Sequence, residues 1–235
     1  PVQHLFATER LGLPAASLEL IPFHADPPPP RPAPQVQRDP DLVVSLGKER
    51  RDYETLFQAV RGTNCRLEIA AGSPWSRFRR ALPPLPDNTN NKFRSWDELI
   101  NLYHRAATVV VPLIETEFQA GISVLLEAMS TGAPVVATKT QGLQHLIKHE
   151  VNALAVDPGD HAGMRRAIRR LRSEPELAAR LGRNARSMIV SSMTTEHFLN
   201  RVERICLSSL TAQTRPEFYF IPQNAGSTPA LAGIS

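Results

Sequence analysis

The chain has 235 residues, 42% of them apolar and 21% charged, which is enough for one globular domain with extensions, or one and a half. Its formal net charge of +4 is mild and selects no partner class alone, suiting an anionic small ligand or a membrane surface as well as nucleic acid. No apolar run approaches the roughly 20 residues of a membrane span. Cys65 and Cys206 lie far apart with no metal or redox spacing and read as free thiols in a reducing compartment. No signal peptide is visible, although the chain starts at Pro1 without a Met, so a cytoplasmic location is the expectation.

Residues 1 to 12 read as a short helix ending near Gly12, and Leu18-Glu19-Leu20-Ile21 as a strand. Prolines from Pro27 to Pro40 rule out a helix or central strand and read as a linker. Leu42 to Leu46 is the first strand of the main domain, ended by Gly47. Lys48, Arg50 and Arg51 follow, ahead of a helix through Tyr53, Leu56, Phe57 and Val60 that Gly62 stops. Cations at a helix start oppose its dipole. They mark either an anion site or a solvated basic turn. Arg66 to Ala71 is the second strand, and Ser73-Pro74 opens a short helix. Trp75 there is a packing residue or, on the sharper reading, a stacking surface for a ligand base. Thr89 to Phe93 is a weak strand. Ser95 and Glu98 have capping-box spacing before a helix that sets Leu99, Leu102, Tyr103 and Ala106 on one face.

Thr108 to Leu113 is a β-branched run, read as a buried parallel strand. A loop with Glu115 and Glu117 follows it. Gly121 then opens an apolar helix with Ser123 in its first turn. Strand, Gly-bearing loop and helix start place unpaired N–H groups at the carboxyl edge of a sheet, where phosphate is favoured. Glu127 stands among Leu125, Leu126, Ala128 and Met129; it either faces solvent or reaches back to a ligand's hydroxyls. Beyond it, Val135 to Ala137 is a strand, Gly142 opens a helix with Leu143, Leu146 and Ile147, and Asn152 to Val156 is the last strand. Asp160 caps a helix with Ala162, Ala167, Ile168 and Leu171 inside. Arg165, Arg166, Arg169, Arg170 and Arg172 crowd its other side, as a solvated face or a contact for an anionic membrane surface. Nucleic acid is not expected, since no aromatic residues are interleaved. Two further helices span about 174–191 and 194–210, and the tail from Thr211 shows no period. The domain reading is a remnant and linker over 1–40, a doubly wound Rossmann-like parallel α/β domain over 41–205, and an irregular tail over 206–235. Loops Gly47–Arg51, Gly72–Trp75, Phe93–Trp96 and Glu115–Ser123 all follow strands, so they are expected to line one crevice.

The run from Phe118 to Thr138, FQAGISVLLEAMSTGAPVVAT, resembles the central motif of the retaining glycosyltransferases of family 4, the group 1 transferases, which have the GT-B fold. That family carries a Glu-x7-Glu pair here. Its second Glu matches Glu127 and its first falls on Gln119, so the pattern is half kept. A Gln bonds a sugar but brings no charge, and Glu115 or Glu117 is the candidate to supply one. Val151 to Leu154 with Asp157 to Asp160 also looks like the family's closing motif. The resemblance covers residues 42 to about 190 and implies the C-terminal, donor-binding half of a GT-B enzyme. By that resemblance Glu127 meets the ribose hydroxyls. Gly47, Lys48 and Arg51, with backbone around Gly121, Ile122 and Ser123, hold the diphosphate, and Gln119 and Glu117 face the transferred sugar. It implies no cofactor and no metal. The substrate is a nucleotide-diphosphate sugar, and the acceptor is a glycan, lipid or small molecule held by an N-terminal domain that this chain lacks. Phe23 to Asp26 falls where that family's interdomain connection carries an Asp; without the family it is an irregular surface arm. A sugar-nucleotide epimerase fragment and a non-catalytic nucleotide-sugar-binding module are the alternatives. A response-regulator or dinucleotide domain is disfavoured, because no acidic cluster and no Gly-x-Gly-x-x-Gly attends the first strand.

Overall fold

The computed structural model describes residues 2–28, 37–71 and 82–211. Six strands, β1 (Asp39–Leu46), β2 (Arg66–Ala70), β3 (Thr89–Asn91), β4 (Ala106–Val111), β5 (Val135–Thr138) and β6 (Leu154–Val156), form one sheet in the order β3-β2-β1-β4-β5-β6. Every pairing is parallel. The α/β class and the doubly wound Rossmann-like sheet expected from the sequence are therefore the architecture observed. The order reverses between β1 and β4, and such a switch point opens a crevice beyond the carboxyl ends of those strands.

The sheet is covered on both faces, as its β-branched strands require. Leu42, Val44, Leu46, Val109 and Val111 join one cluster with α3 (Trp96–Arg105), α4 (Ile122–Ser130) and α6 (Pro175–Ser192). Val43, Val110 and Val136 face the other way, onto α2 (Tyr53–Val60) and α5 (His161–Ser173). The alternation follows from the two-residue period of a strand. Leu125, Leu126 and Met129 of α4 are fully buried, each contributing about 2 kcal/mol on transfer from water.

The local signals mostly act as read. Ser95 and Glu98 complete the capping box of α3. Asp160 caps α5, its Oδ1 accepting from Gly163 N at 2.7 Å. The cap of α2 is Asp52, which accepts from Thr55 N at 3.0 Å and offsets the cations before it.

Several expectations are corrected. Leu18 to Ile21 is not a strand, since no strand among the described residues pairs with it and an unpaired extended run gains no ladder bonds. Gly142 does not open a helix: residues 141–146 are successive turns. Gly142 lies so close to the Phe118 carbonyl that a Cβ would overlap it. Asn152 takes Lys148 N on Oδ1 and gives Nδ2 to Leu146 O, both at 2.8 Å, which closes the segment early. On α5, Ala162 is exposed, and Gly163 and Met164 are buried in its stead. The basic face is largely bound within the fold. Arg165 donates to the carbonyls of Gln58, Ala59 and Arg61 at the end of α2, at 2.7 to 2.9 Å. Arg172 donates to Pro40 O at 2.8 Å and to Asp41. Arg170 pairs with Glu150 and Glu174, and Arg166 with Asp160.

The linker reading also shortens, since β1 already begins at Asp39 and includes Pro40. Just before it, the Arg38 guanidinium donates to the carbonyls of Tyr103, His104, Ala106 and Gly132 at 2.8 to 3.1 Å. Burial lowers its affinity for protons, to a pKa of about 10. Before the chain enters the domain, α1 (Val2–Leu5) runs into one π-helical turn (Phe6–Arg10). Phe23 to Asp26 is not a loose arm. Ala25 N donates to Met193 O at 2.9 Å, and Asp26 accepts from Thr195 N and Oγ1 at 2.9 and 2.6 Å. Asp26 thus lies at the start of α7 (Thr195–Thr211), and the Thr195 bonds hold its carboxyl below the usual range. No helix among the described residues is long and apolar enough to cross a membrane.

Candidate functional site

The switch point brings the β1–α2 and β4–α4 connections face to face. They are laced by Asp52 N to Pro112 O and Ile114 N to Arg50 O, both at 3.1 Å, and by a bridge between Arg51 and Leu113. Gly47 leaves β1 at φ 88° and Gly121 precedes α4 at φ 78°, conformations that glycine adopts without strain. Both glycines also lie against the guanidinium of Arg51. A Cβ on Gly47 would lie 2.7 Å from Nη2 of Arg51, and one on Gly121 would lie 3.0 Å from its Nη1.

Arg51 is therefore a cation wedged between two glycines, with only 9% of its surface exposed. Its Nε donates to Leu46 O at 2.9 Å and its Nη1 to Glu49 O at 3.0 Å. Burial lowers its affinity for protons, and no ion pair joins it to a carboxylate among the described residues. A guanidinium beside a helix N-terminus is doubly unfavourable, by burial and by dipole, until an anion arrives. Tyr53 Oη donates to Gly47 O at 2.5 Å, fixing the turn, and burial pushes that phenol up to about 12. Lys48 is half-buried beside Gly47.

At the start of α4, Ile122 N donates to Gln119 O at 3.3 Å. That N–H, expected to meet a phosphate, is thus occupied in this arrangement. Ser123 stands exposed in the first turn. Glu127 does not turn to solvent. It is half-buried and accepts from Tyr103 Oη at 2.8 Å. Burial raises its carboxyl, while Tyr103 and Arg51 pull it back down.

Gln119 Nε2 lies 3.3 Å from His145 Nε2, and burial lowers the affinity of His145 for protons. Glu117 is exposed on the β4–α4 loop. Glu115 instead braces two loops, its Oε1 accepting from Thr116 N and Gln141 N at 3.1 Å each. Of the four loops expected in one crevice, Gly47–Arg51 and Glu115–Ser123 meet. Phe93–Trp96 follows the edge strand β3, and Gly72–Trp75 lies outside the described residues. Among the described residues, no three His, Cys, Asp or Glu side chains converge as a metal-ligand set. Sequence reading missed Tyr53, Tyr103 and His145. Tyr103 had a signal, because a tyrosine on the inner face of a helix needs a partner for its hydroxyl.

Comparison with known proteins matches residues 52–188 to the family described as glycosyl transferases group 1. A lipopolysaccharide core biosynthesis glycosyltransferase, LpsD of Rhizobium meliloti, is 31% identical over 165 residues, 64% of this chain and 47% of that protein. The chain spans about half the length of the curated relatives it matches. Among solved structures, a glycosyltransferase from Rickettsia africae superposes with a TM-score of 0.73 at 14% identity, covering 90% of this chain and 62% of that one. HepE of Anabaena, solved with UDP and glucose, gives 0.60 at 16% identity over 72% of this chain and 48% of its own.

Proposed function

Because the chain belongs to the group 1 glycosyl transferases, we propose that it is the donor-binding half of an enzyme that moves a sugar from a nucleotide-diphosphate sugar to an acceptor, with retention. The observation that carries this reading is Arg51, a buried cation without a carboxylate partner among the described residues, held open between Gly47 and Gly121 at the head of α4. A diphosphate fits that corner by charge, and the N–H groups of the first turn of α4 add to the attraction. The same groups stabilise negative charge on the nucleotide as the sugar departs.

In this reading Lys48 completes the diphosphate contacts and Glu127 accepts from the ribose hydroxyls. Gln119 and His145 face the transferred sugar, whose carbon develops oxocarbenium character as the bond breaks. Exposed Glu117 is the carboxylate available to that charge. The acceptor is a glycan, lipid or small molecule bound by a domain outside this chain, so the chain alone binds nucleotide and turns over poorly. A cytoplasmic setting, with or without peripheral membrane contact through exposed arginines such as Arg169, belongs to the same proposal.

A second reading, a non-catalytic nucleotide-sugar-binding module, is favoured by one observation. Gln119, at the position where the family carries a Glu, is uncharged and meets a histidine whose affinity for protons burial lowers.

Calorimetric titration with UDP, GDP and ADP tests the proposal. One nucleotide should bind to the chain, and Arg51→Met should weaken it by more than about tenfold, as expected for losing a charge-assisted contact. Failure of all three to bind a chain shown to be folded would overturn it. Sugar transfer after an acceptor-binding half is supplied separates an enzyme from a binding module.

A further inference from the structure

Tyr103 heads the largest side chains that are fully buried. Its hydroxyl reaches across from α3 to α4 and meets Glu127 Oε2 at 2.8 Å. β4, β5 and α6 contribute apolar side chains such as Val109, Val135 and Ile189 to the core cluster that α4 joins. Among the described residues, Arg51 from the β1–α2 connection and Tyr103 from α3 are the groups whose charge or hydrogen bond acts on it. No hydrogen bond to its other oxygen is found among them.

We infer that Tyr103 is a positioning residue for nucleotide binding: its phenol fixes one oxygen of Glu127, so that the carboxylate meets a ligand's hydroxyl groups in a single orientation with its other oxygen free. The inference rests on the reading of Glu127 as the acceptor for the donor's ribose. A buried phenol needs a partner in any fold, but this partner is a carboxylate on the crevice helix, not a backbone carbonyl of the core. Geometry and ionisation go together here. Burial favours the protonated carboxyl, and a donated hydrogen bond favours the ionised one. Removing the hydroxyl while keeping the ring leaves burial opposed by Arg51 alone, so Glu127 takes up its proton at higher pH. A protonated carboxyl is a poorer acceptor for a diol, so binding should fade on acidification.

Tyr103→Phe tests this in the full chain, with the Glu127 carboxyl carbon followed by NMR and assigned through Glu127→Gln. The titration midpoint should move to higher pH in the variant, and an unchanged midpoint would overturn the inference. UDP affinity supplies the second readout. The ratio of wild-type to variant affinity should rise on acidification, towards about tenfold for each unit by which the midpoint moves once the pH is below both midpoints, and should shrink to within about twofold well above them. A ratio constant across pH would mean that Tyr103 only packs, and would equally overturn it. If Glu127→Gln binds UDP as tightly as wild type while the midpoint still moves, the ribose reading of Glu127 fails and its coupling to Tyr103 stands.

Discussion

Two arginines flank β1, and the corners they occupy are opposites. Arg38, at the amino edge of the sheet, donates four hydrogen bonds to carbonyls from α3, β4 and the turn before β5. Arg51, at the carboxyl edge, makes two, and Nη2 lies against the empty side of Gly47. Both are cations removed from water and, among the described residues, bonded to backbone rather than to carboxylates. Arg38 spreads its two terminal nitrogens over four carbonyls and ties elements together. The other is left short and faces two residues without side chains. A buried charge is thus read by what it reaches: a guanidinium spread over four carbonyls is a strut, and one that makes two bonds between two glycines has room beside it for an anion.

The contrast can be broken at either corner. Arg38→Ala strands four carbonyls and should cost about 3 kcal/mol of folding stability, seen in denaturant unfolding, while nucleotide affinity of the folded fraction stays unchanged. A large loss of affinity would erase the distinction. Arg51→Met should do the reverse. It costs about 2 kcal/mol in nucleotide binding and changes unfolding free energy by less than about 1 kcal/mol, since a desolvated charge leaves with its bonds. Gly121→Ala adds strain at φ 78° and crowds the guanidinium. About 1 kcal/mol should be lost in stability, with affinity falling in parallel. The smallest effect concerns pH. Burial raises the Glu127 carboxyl, so the folded chain holds this proton to higher pH than the unfolded chain does, and ionising Glu127 above its raised pKa costs stability. Glu127→Gln should therefore raise the melting temperature at pH 7 and leave it nearly unchanged at pH 4. A gain of equal size at both pH values would refute that assignment.

What was legible in the sequence was local. The Ser95–Glu98 box, the Asp160 cap and the Gly121 helix start each depend on residues within one turn of one another, and the structure has all three. Strand and helix segments alternated clearly enough to give a parallel sheet of about six strands. Arg38 was not legible, because its partners lie 65 to 94 residues away. It was read as part of a linker on the strength of neighbouring prolines. Tyr103 was placed on the apolar-bearing face of its helix, but its partner Glu127 is 24 residues on. The false helix after Gly142 failed for the same reason. Its apolar spacing was right, but a close approach to Phe118 and the side chain of Asn152 decided its shape, and neither is visible within the segment.

The contacts of Ala25 and Asp26 with Met193 and Thr195 mean that the polypeptide enters the sheet domain and leaves it through one doorway. Everything from β1 to α6 hangs from that threshold as a closed loop. Such a unit can be lifted out of one gene and set into another with a single seam to repair, and its strands need not be rethreaded. That threshold is thus also a natural splice point for recombination, where a different neighbouring segment can be joined without rebuilding the crevice between β1 and β4.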